Sequence, residues 1–452
     1  MMMRAHWTLS ILVFAATSLY AQDRRLPLED VIKEKASHIR LTGIWVSGGA
    51  FDLRFRGGGG TAASAPVRAY SGSVGASLNW TFLGARTTAW ANYAGDYSIA
   101  SIGLLRSLSQ AAEGGFMRRV TPRWTLGAIF SAQSLNLGAR LFQAPSASQQ
   151  IQSPGFGTSL SGGGLGSTVD PVSEAAAAVP STDVFALTLG ANQRVYTAGF
   201  VGGFNASPRT DMRFGASVSQ SEFPPTAGAN VQLPYSRLRG GFLQASLRRR
   251  ITQRTSITLS SQGGESRAQS QRFDFVSGTL GISRTLTPAW YIYVAGGGGA
   301  STVFRNGVTV PWLLQYTGLA GLGYAGVKQA LLIAGTHDAG DRLGLGFLST
   351  SQLNIFWNLR PPSSGWAFSV KGGGAMLRSA GSQSTIAGSV QLGLSRHIAG
   401  DFYTLGEATY VSNVQFAPQR LFPSGAASGL LDTSAQRAVR LSIVYRPGPD
   451  RK

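Results

Sequence analysis

The chain has 452 residues, with 40 Lys+Arg against 20 Asp+Glu for a formal charge of +20, and is 43% hydrophobic with 13% charged residues. Its 59 glycines follow no G-X-Y period and stand beside 10% aromatics, which excludes collagen and argues against a disordered chain. No cysteine is present, so disulfides, thiolate metal sites, thiol nucleophiles and a Cys-borne lipid anchor are excluded.

Residues 1–21 read as an export signal: Arg4 supplies the positive start, 7–20 is apolar but short, and cleavage after Ala21 precedes the polar Gln22-Asp23. No later apolar run approaches the ~20 residues of a membrane helix. Within a 22–38 segment, Pro27 near a helix start and Leu28, Val31 and Ile32 at helical spacing predict a short periplasmic helix, with a disordered lead-in as the alternative.

From residue 39 the dominant period is two. In 68–83 one parity reads Tyr70, Gly72, Val74, Ala76, Leu78, Trp80, Phe82, and the other Ala69, Ser71, Ser73, Gly75, Ser77, Asn79, Thr81. Residues 386–396 and 437–445 repeat the arrangement, which marks strands with one apolar and one polar face. The segments run about 10–14 residues, longer than the ~5–6 of a soluble sheet and suited to tilted membrane strands. They count to eighteen from 39–55 to 436–446; sixteen is the alternative, because 114–120 and 329–337 are weakly patterned. Short Thr/Pro/Gly turns, as in MRRVTPRWTL (117–126) and ISRTLTPAWYI (282–292), alternate with long Gly/Ser/Ala stretches such as 57–66, 144–181, 222–236 and 413–435. That asymmetry predicts periplasmic turns and outer loops.

The apolar parity needs an apolar partner. Trp80, Phe82, Trp124, Trp290, Tyr403 and Tyr445 sit beside turns, where an interfacial girdle belongs. A Ser/Thr/Gly/Asn/Gln parity makes a poor core and a good water-facing lumen. The predicted fold is therefore all-β, a closed antiparallel transmembrane β-barrel over 39–446 followed by a tail, 447–452. A secreted Gly-rich β-solenoid or adhesin is the competing architecture.

On the leader, the alternating strands and the TPRW-type turns, the chain resembles the Gram-negative outer-membrane β-barrel class over residues 39–446. The resemblance implies residence in the cell outer membrane with membrane lipid as partner. Barrels of this class commonly end on an aromatic residue; here Tyr445 is followed by 446–452, which departs from that pattern.

Lysines stand only at 33, 35, 328, 371 and 452, so 35 of the 40 cations are arginines. Many, such as Arg249, Arg284 and Arg396, flank the expected turns on the outward parity, where they meet anionic headgroups. Arg40, Arg213, Arg248, Arg360, Lys371 and Arg440 fall on the polar parity, and rings of such residues select anions. The expected function is a channel for anionic solutes or an acidic polymer, and in this the chain resembles anion-selective porins and exporters of acidic exopolysaccharide. Two alternatives stand: those cations brace the wall against acids such as Glu407, or the barrel is structural or adhesive and its outer loops, chiefly 144–181, bind a partner.

Catalytic constellations are thin. Of four histidines, His6 lies in the leader, His38 precedes the first strand, and His337 and His397 lie at strand ends; His337-Asp338 is placed in an outer loop. Neighbouring strand residues point to opposite faces, so no acid–base pair, enzyme activity, metal or cofactor is expected. Gly57–Gly60 and Gly296–Gly299 lack the Lys and helix of a phosphate loop and read as flexible loop or close strand approach. No nucleic-acid motif accompanies the charge.

Overall fold

The computed structural model describes residues 36–55, 67–101, 105–136, 192–222, 237–268, 271–305, 308–309, 311–326, 328–341, 347–359, 361, 365–379, 385–414 and 433–445. Eighteen long strands are found among them: β1 (Ala36–Phe55), β2 (Val67–Leu83), β3 (Thr87–Ala100), β4 (Leu105–Arg119), β5 (Trp124–Asn136), β6 (Asn192–Ser207), β7 (Thr210–Glu222), β8 (Arg237–Arg250) and β9 (Thr255–Ala268). The series continues with β10 (Gln271–Thr285), β11 (Trp290–Arg305), β12 (Leu313–Ala325), β13 (Gln329–Asp341), β14 (Phe347–Leu359), β15 (Trp366–Ser379), β16 (Thr385–Ala399), β17 (Phe402–Val414) and β18 (Thr433–Tyr445). A two-residue strand, Val308–Thr309, pairs with the end of β11.

Each strand is antiparallel to its chain neighbours, and β1 pairs with both β2 and β18, Trp45 lying opposite Gly75 on one side and Val444 on the other. The sheet is thereby closed, and every strand finds two partners, which is the only way a sheet can sit in hydrocarbon without an unsatisfied edge. The eighteen-strand alternative of the sequence reading is the one that forms. The weakly patterned 114–120 is the end of β4, which already starts at Leu105. β1 starts at Ala36, so the last three residues of the expected periplasmic segment are strand. The expected leader, most of the 22–38 segment with its short helix, Gly57–Gly60, the 144–181 loop and the 447–452 tail lie outside the described residues. Gly296–Gly299 lies inside β11 and is a close strand approach, because a Cβ on Gly297 would collide with the Gly278 carbonyl.

Sequence-near hairpins are closed by a repeated device. In the turns after β4, β8 and β10, Thr121, Thr252 and Thr287 each accept with Oγ1 from the amide three residues on, at 3.0, 3.0 and 3.1 Å. The hydroxyl gives the amide that restarts the next strand a side-chain acceptor within the turn. This is the shared physics of VTPRW, ITQRT and LTPAW.

Solvent exposure assigns the faces. Along β1, Ile44, Val46, Gly48 and Ala50 are exposed, while Gly43, Trp45, Ser47 and Phe51 are buried. β18 alternates likewise, with Val439, Leu441 and Ile443 at 64%, 61% and 52% exposure against Ser442 and Val444 at 1% and 3%. The exposed rows are apolar and the enclosed rows are rich in Ser, Thr, Gly and Asn, so the barrel is greasy outside and hydroxyl-lined inside. A closed barrel with that outer surface is an outer-membrane protein.

Candidate functional site: a charged arc on the lumenal wall

Cross-strand register carries the inward face from strand to strand. Lys371 of β15 lies opposite Gln391 of β16, Glu407 of β17 opposite Arg440 of β18, and Arg440 opposite Gly49 of β1. Farther round, Gly75 of β2 lies opposite both Trp45 of β1 and Asp96 of β3, and Asn92 of β3 lies opposite Glu113 of β4. All share the lumenal row, because each partner in a directly opposed pair projects to the same side.

The arc is hydrogen-bonded as a unit. Trp45 donates its indole Nε1–H to Asp96 Oδ1 at 2.7 Å, and both side chains are 1% exposed. Gly75 makes room for this pair: a Cβ there would collide with the Trp45 ring. Asn79 donates to Asn92, Asn92 Nδ2 donates to Glu113 Oε1 at 2.8 Å, and Thr81 Oγ1 donates to Asn79 Oδ1 at 2.9 Å. On the other side of β1, Gln391 Nε2 donates to Glu407 Oε1 at 3.3 Å. Arg440 stands within electrostatic reach of both Glu407 and Asp96, and Lys371 within reach of Glu407. A Cβ at Gly49 would lie 2.7 Å from the Val439 carbonyl and 3.4 Å from Arg440 Cα, so the glycine keeps the space beside Arg440 clear.

Two of the lumenal acids are set deep, and two, Glu113 and Asp211, remain partly exposed. Asp96 and Glu407 are 1% and 9% exposed, set into the wall, whereas Lys371 and Arg440 remain partly exposed.

Arg213 of β7 and Arg248 of β8 also lie on lumenal rows; Arg213 is opposite Ser246 and Arg248 opposite Asp211, and Arg248 Nε donates to Ser256 Oγ at 3.1 Å. From β9 to β14, the charged residues whose backbones fall on the lumenal rows are Arg305 and Asp338 at the loop ends of β11 and β13, with side chains outside the described residues; the inward side chains described there are uncharged. That wall is hydroxyls and rings: Ser260 and Thr279 hydrogen-bond at 2.6 Å, Ser256 and Ser283 at 2.7 Å, Phe273 stacks on Phe275 at 5.9 Å, and Phe275 meets Phe242 of β8 at 6.1 Å. Nearer the short turns, Tyr291, Tyr293 and Phe356 pack on buried Leu332 and Ala334.

Four of the six sequence-selected cations, Arg213, Arg248, Lys371 and Arg440, are therefore on the inner face. Arg40 has its backbone opposite Asn79 and its side chain outside the described residues, and Arg360 lies outside them altogether. Among the aromatics, Trp80 lies opposite the 77% exposed Ile39, Phe82 shares its row, Trp124 packs on Phe204 at 4.6 Å, Trp290 on Tyr324 at 4.9 Å, and Tyr445 on Phe402 at 5.1 Å, all on the outer face. Tyr403 is a correction: it shares the inward row of Glu407 and meets His397 at 5.1 Å, and Phe402 holds the outward position. His337 is a second correction: it is in β13 and not in a loop, stacked on Tyr316 at 4.0 Å with Nδ1 2.7 Å from Ser351 Oγ. The Trp45–Asp96 pair escaped the sequence reading; its one signal is a large ring on an otherwise small, polar parity.

No protein family matches the chain by sequence, and no curated protein matches it. Solved structures do. OpdO of Pseudomonas aeruginosa is 12% identical over 92% of this chain and 98% of its own, with a TM-score of 0.42. OccK2 (OpdF) of the same organism, solved in complex with glucuronate, is 10% identical over 92% and 98%, TM-score 0.43. A BenF-like porin from Pseudomonas fluorescens Pf-5 is 8% identical over 92% and 99%, TM-score 0.45. At these values the likeness is one of general outline, and the assignments made here rest on this chain's own residues.

Proposed function

We propose that the protein is an outer-membrane channel for small organic anions, with Lys371, Arg440, Arg213 and Arg248 as the cationic surface of its lumen and Arg40 and Arg360 extending that set. The observation that supports this reading is that four cations share the inner face while two of the acids beside them, Asp96 and Glu407, are buried in the wall and Lys371 and Arg440 stay partly exposed. A permeating solute meets accessible ammonium and guanidinium where Asp96 and Glu407 are withdrawn into the wall. Arginine keeps its charge at any working pH and offers a planar fork to a carboxylate. Such groups replace part of a permeant anion's hydration and raise its concentration in the lumen. The uncharged arc supplies the complementary surface, since Phe242, Phe275 and Phe273 form a run of rings along which an apolar body can move.

Planar-bilayer recordings under a salt gradient test the proposal. The expected zero-current potential has the sign of an anion-preferring pore. Each lumenal cation contributes about 1 kcal/mol at ~4 Å in a wet channel. Lys371→Gln with Arg440→Gln therefore lowers the anion-to-cation permeability ratio by about fivefold or more. A non-conducting or cation-preferring barrel defeats the reading and favours a structural or adhesive role.

A further inference from the structure

The outer wall carries an arginine arrangement that a lumen has no use for. On β8 the outward row runs Arg249, Leu247, Ala245, Leu243, Gly241, Arg239. Arg249 and Arg239 are ten residues apart, about 33 Å along a strand at ~3.3 Å per residue. A tilt of about 40° projects this onto about 25 Å, the height of an apolar membrane band. Arg249 beside the short turn thus marks one headgroup level and Arg239 the other, on the side of the long loops. At that outer level three arginines stand in direct cross-strand register: Arg239 of β8 opposite Arg267 of β9, and Arg267 opposite Arg272 of β10. Like charges placed directly opposite repel; Glu265 and Asp274 offset part of this, and the three arginines against two carboxylates leave a net positive charge that an anion can meet.

The neighbouring carboxylates and amide fix the guanidiniums. Glu222 takes Arg237 at 2.7 Å and the Gln220 amide at 2.8 Å, and Gln220 Oε1 in turn accepts from Arg239 Nε at 2.9 Å. Glu265 accepts from Arg267 Nε and lies 3.0 Å from Arg272, whose Nε donates to Asp274 at 2.9 Å. Arg239 and Arg267 are held through Nε, which leaves the terminal edge of each fork for a phosphate. On the membrane side of the triplet, Gly241 opens a depression of about 560 Å³ between Tyr196 and Val218, rimmed by Arg239 and Arg267. A Cβ at Gly241 would meet nothing within 4 Å, so this space is open to an occupant.

We propose that this face of β6–β10 docks a phosphorylated glycolipid of the outer leaflet, its phosphate on the Arg239–Arg267–Arg272 triplet and an acyl chain in the depression over Gly241. The inference rests on the outer-membrane orientation and not on what the lumen conducts. The test is native mass spectrometry of the full, refolded barrel in detergent titrated with bisphosphorylated lipid A. The expected result is a retained lipid, bound at least tenfold more weakly by Arg239→Gln with Arg267→Gln, and more weakly by Gly241→Trp, which fills the depression and leaves the arginines in place. Arg249→Gln with Arg284→Gln removes the same charge at the opposite rim and leaves binding unchanged. Conductance of the Arg239/Arg267 variant equals that of the parent, which separates this test from that of the channel. The proposal is overturned if dephosphorylated lipid A is retained equally, if the rim control loses as much as the triplet variant, or if millimolar inorganic phosphate alone displaces the lipid.

Discussion

The lumenal wall is made of two arcs on one backbone. From β15 through β18 and on to β4, Lys371, Glu407, Arg440, Asp96 and Glu113 face inward, tied together by Trp45, Asn92 and Gln391. From β9 through β14, Ser260, Thr279, Phe273, Phe275 and Tyr293 face inward, and no inward-facing side chain described there is charged. Both are antiparallel ladders of one closed sheet. Sheet geometry thus decides which residues face the lumen and is indifferent to their chemistry, so one wall of a single pore can attract ions while the other offers rings and hydroxyls.

Substitutions can break that comparison at either arc. The largest effect is expected where a side chain has no place to go. In the uncharged arc, Gly297→Val drives a branched carbon into the Gly278 carbonyl; in the charged arc, Gly75→Leu drives one into the Trp45 ring. Overpacking costs roughly 1–3 kcal/mol and more when backbone must yield. Gly297→Val, whose three nearest obstacles are all backbone, therefore lowers the urea midpoint of the heat-modifiable folded band further than Gly75→Leu, which meets the Trp45 ring first and the Gly95 carbonyl next. Equal midpoints for parent and both variants would contradict the close approaches.

A smaller effect sharpens the contrast. Asp96→Ala leaves a buried indole N–H without its acceptor, at a cost of about 1–3 kcal/mol, whereas Ser260→Ala with Thr279→Val removes both members of a hydroxyl pair and costs under about 1 kcal/mol. Asp96→Ala should also alter ion selectivity, because Asp96 faces Arg440. The hydroxyl variant should leave selectivity as it was. Equal stability loss in the two variants, or a selectivity change in the hydroxyl one, would remove the distinction between the arcs.

Much of this was legible in the amino-acid order. A period of two over segments such as 68–83 assigns faces without any tertiary information, and TPRW-type turns separate the strands. What alternation does not carry is register. Trp45 and Asp96 are 51 residues apart, and only the pairing of β1 with β2 and of β2 with β3 brings them together. Tyr403 sits beside a turn, as girdle aromatics do, but it shares parity with Glu407 along an unbroken β17, and parity rather than nearness to the turn decides its face. β4 was truncated because Leu108 is followed on its exposed row by Gln110 and Ala112, which blurs the apolar parity.

The central claim is that the apolar rows touch lipid and the polar rows touch water. A chain without cysteine allows it to be tested one residue at a time. Val390 and Leu392 of β16 are 46% and 51% exposed on the outer face, and Gln391 lies between them on the inner one. Single cysteines at 390, 391 and 392, labelled with an environment-sensitive fluorophore in reconstituted vesicles, report both media. The account predicts blue-shifted emission quenched by brominated lipid at 390 and 392, and red-shifted emission quenched by aqueous iodide at 391. The reverse pattern, or lipid quenching at all three positions, would contradict it.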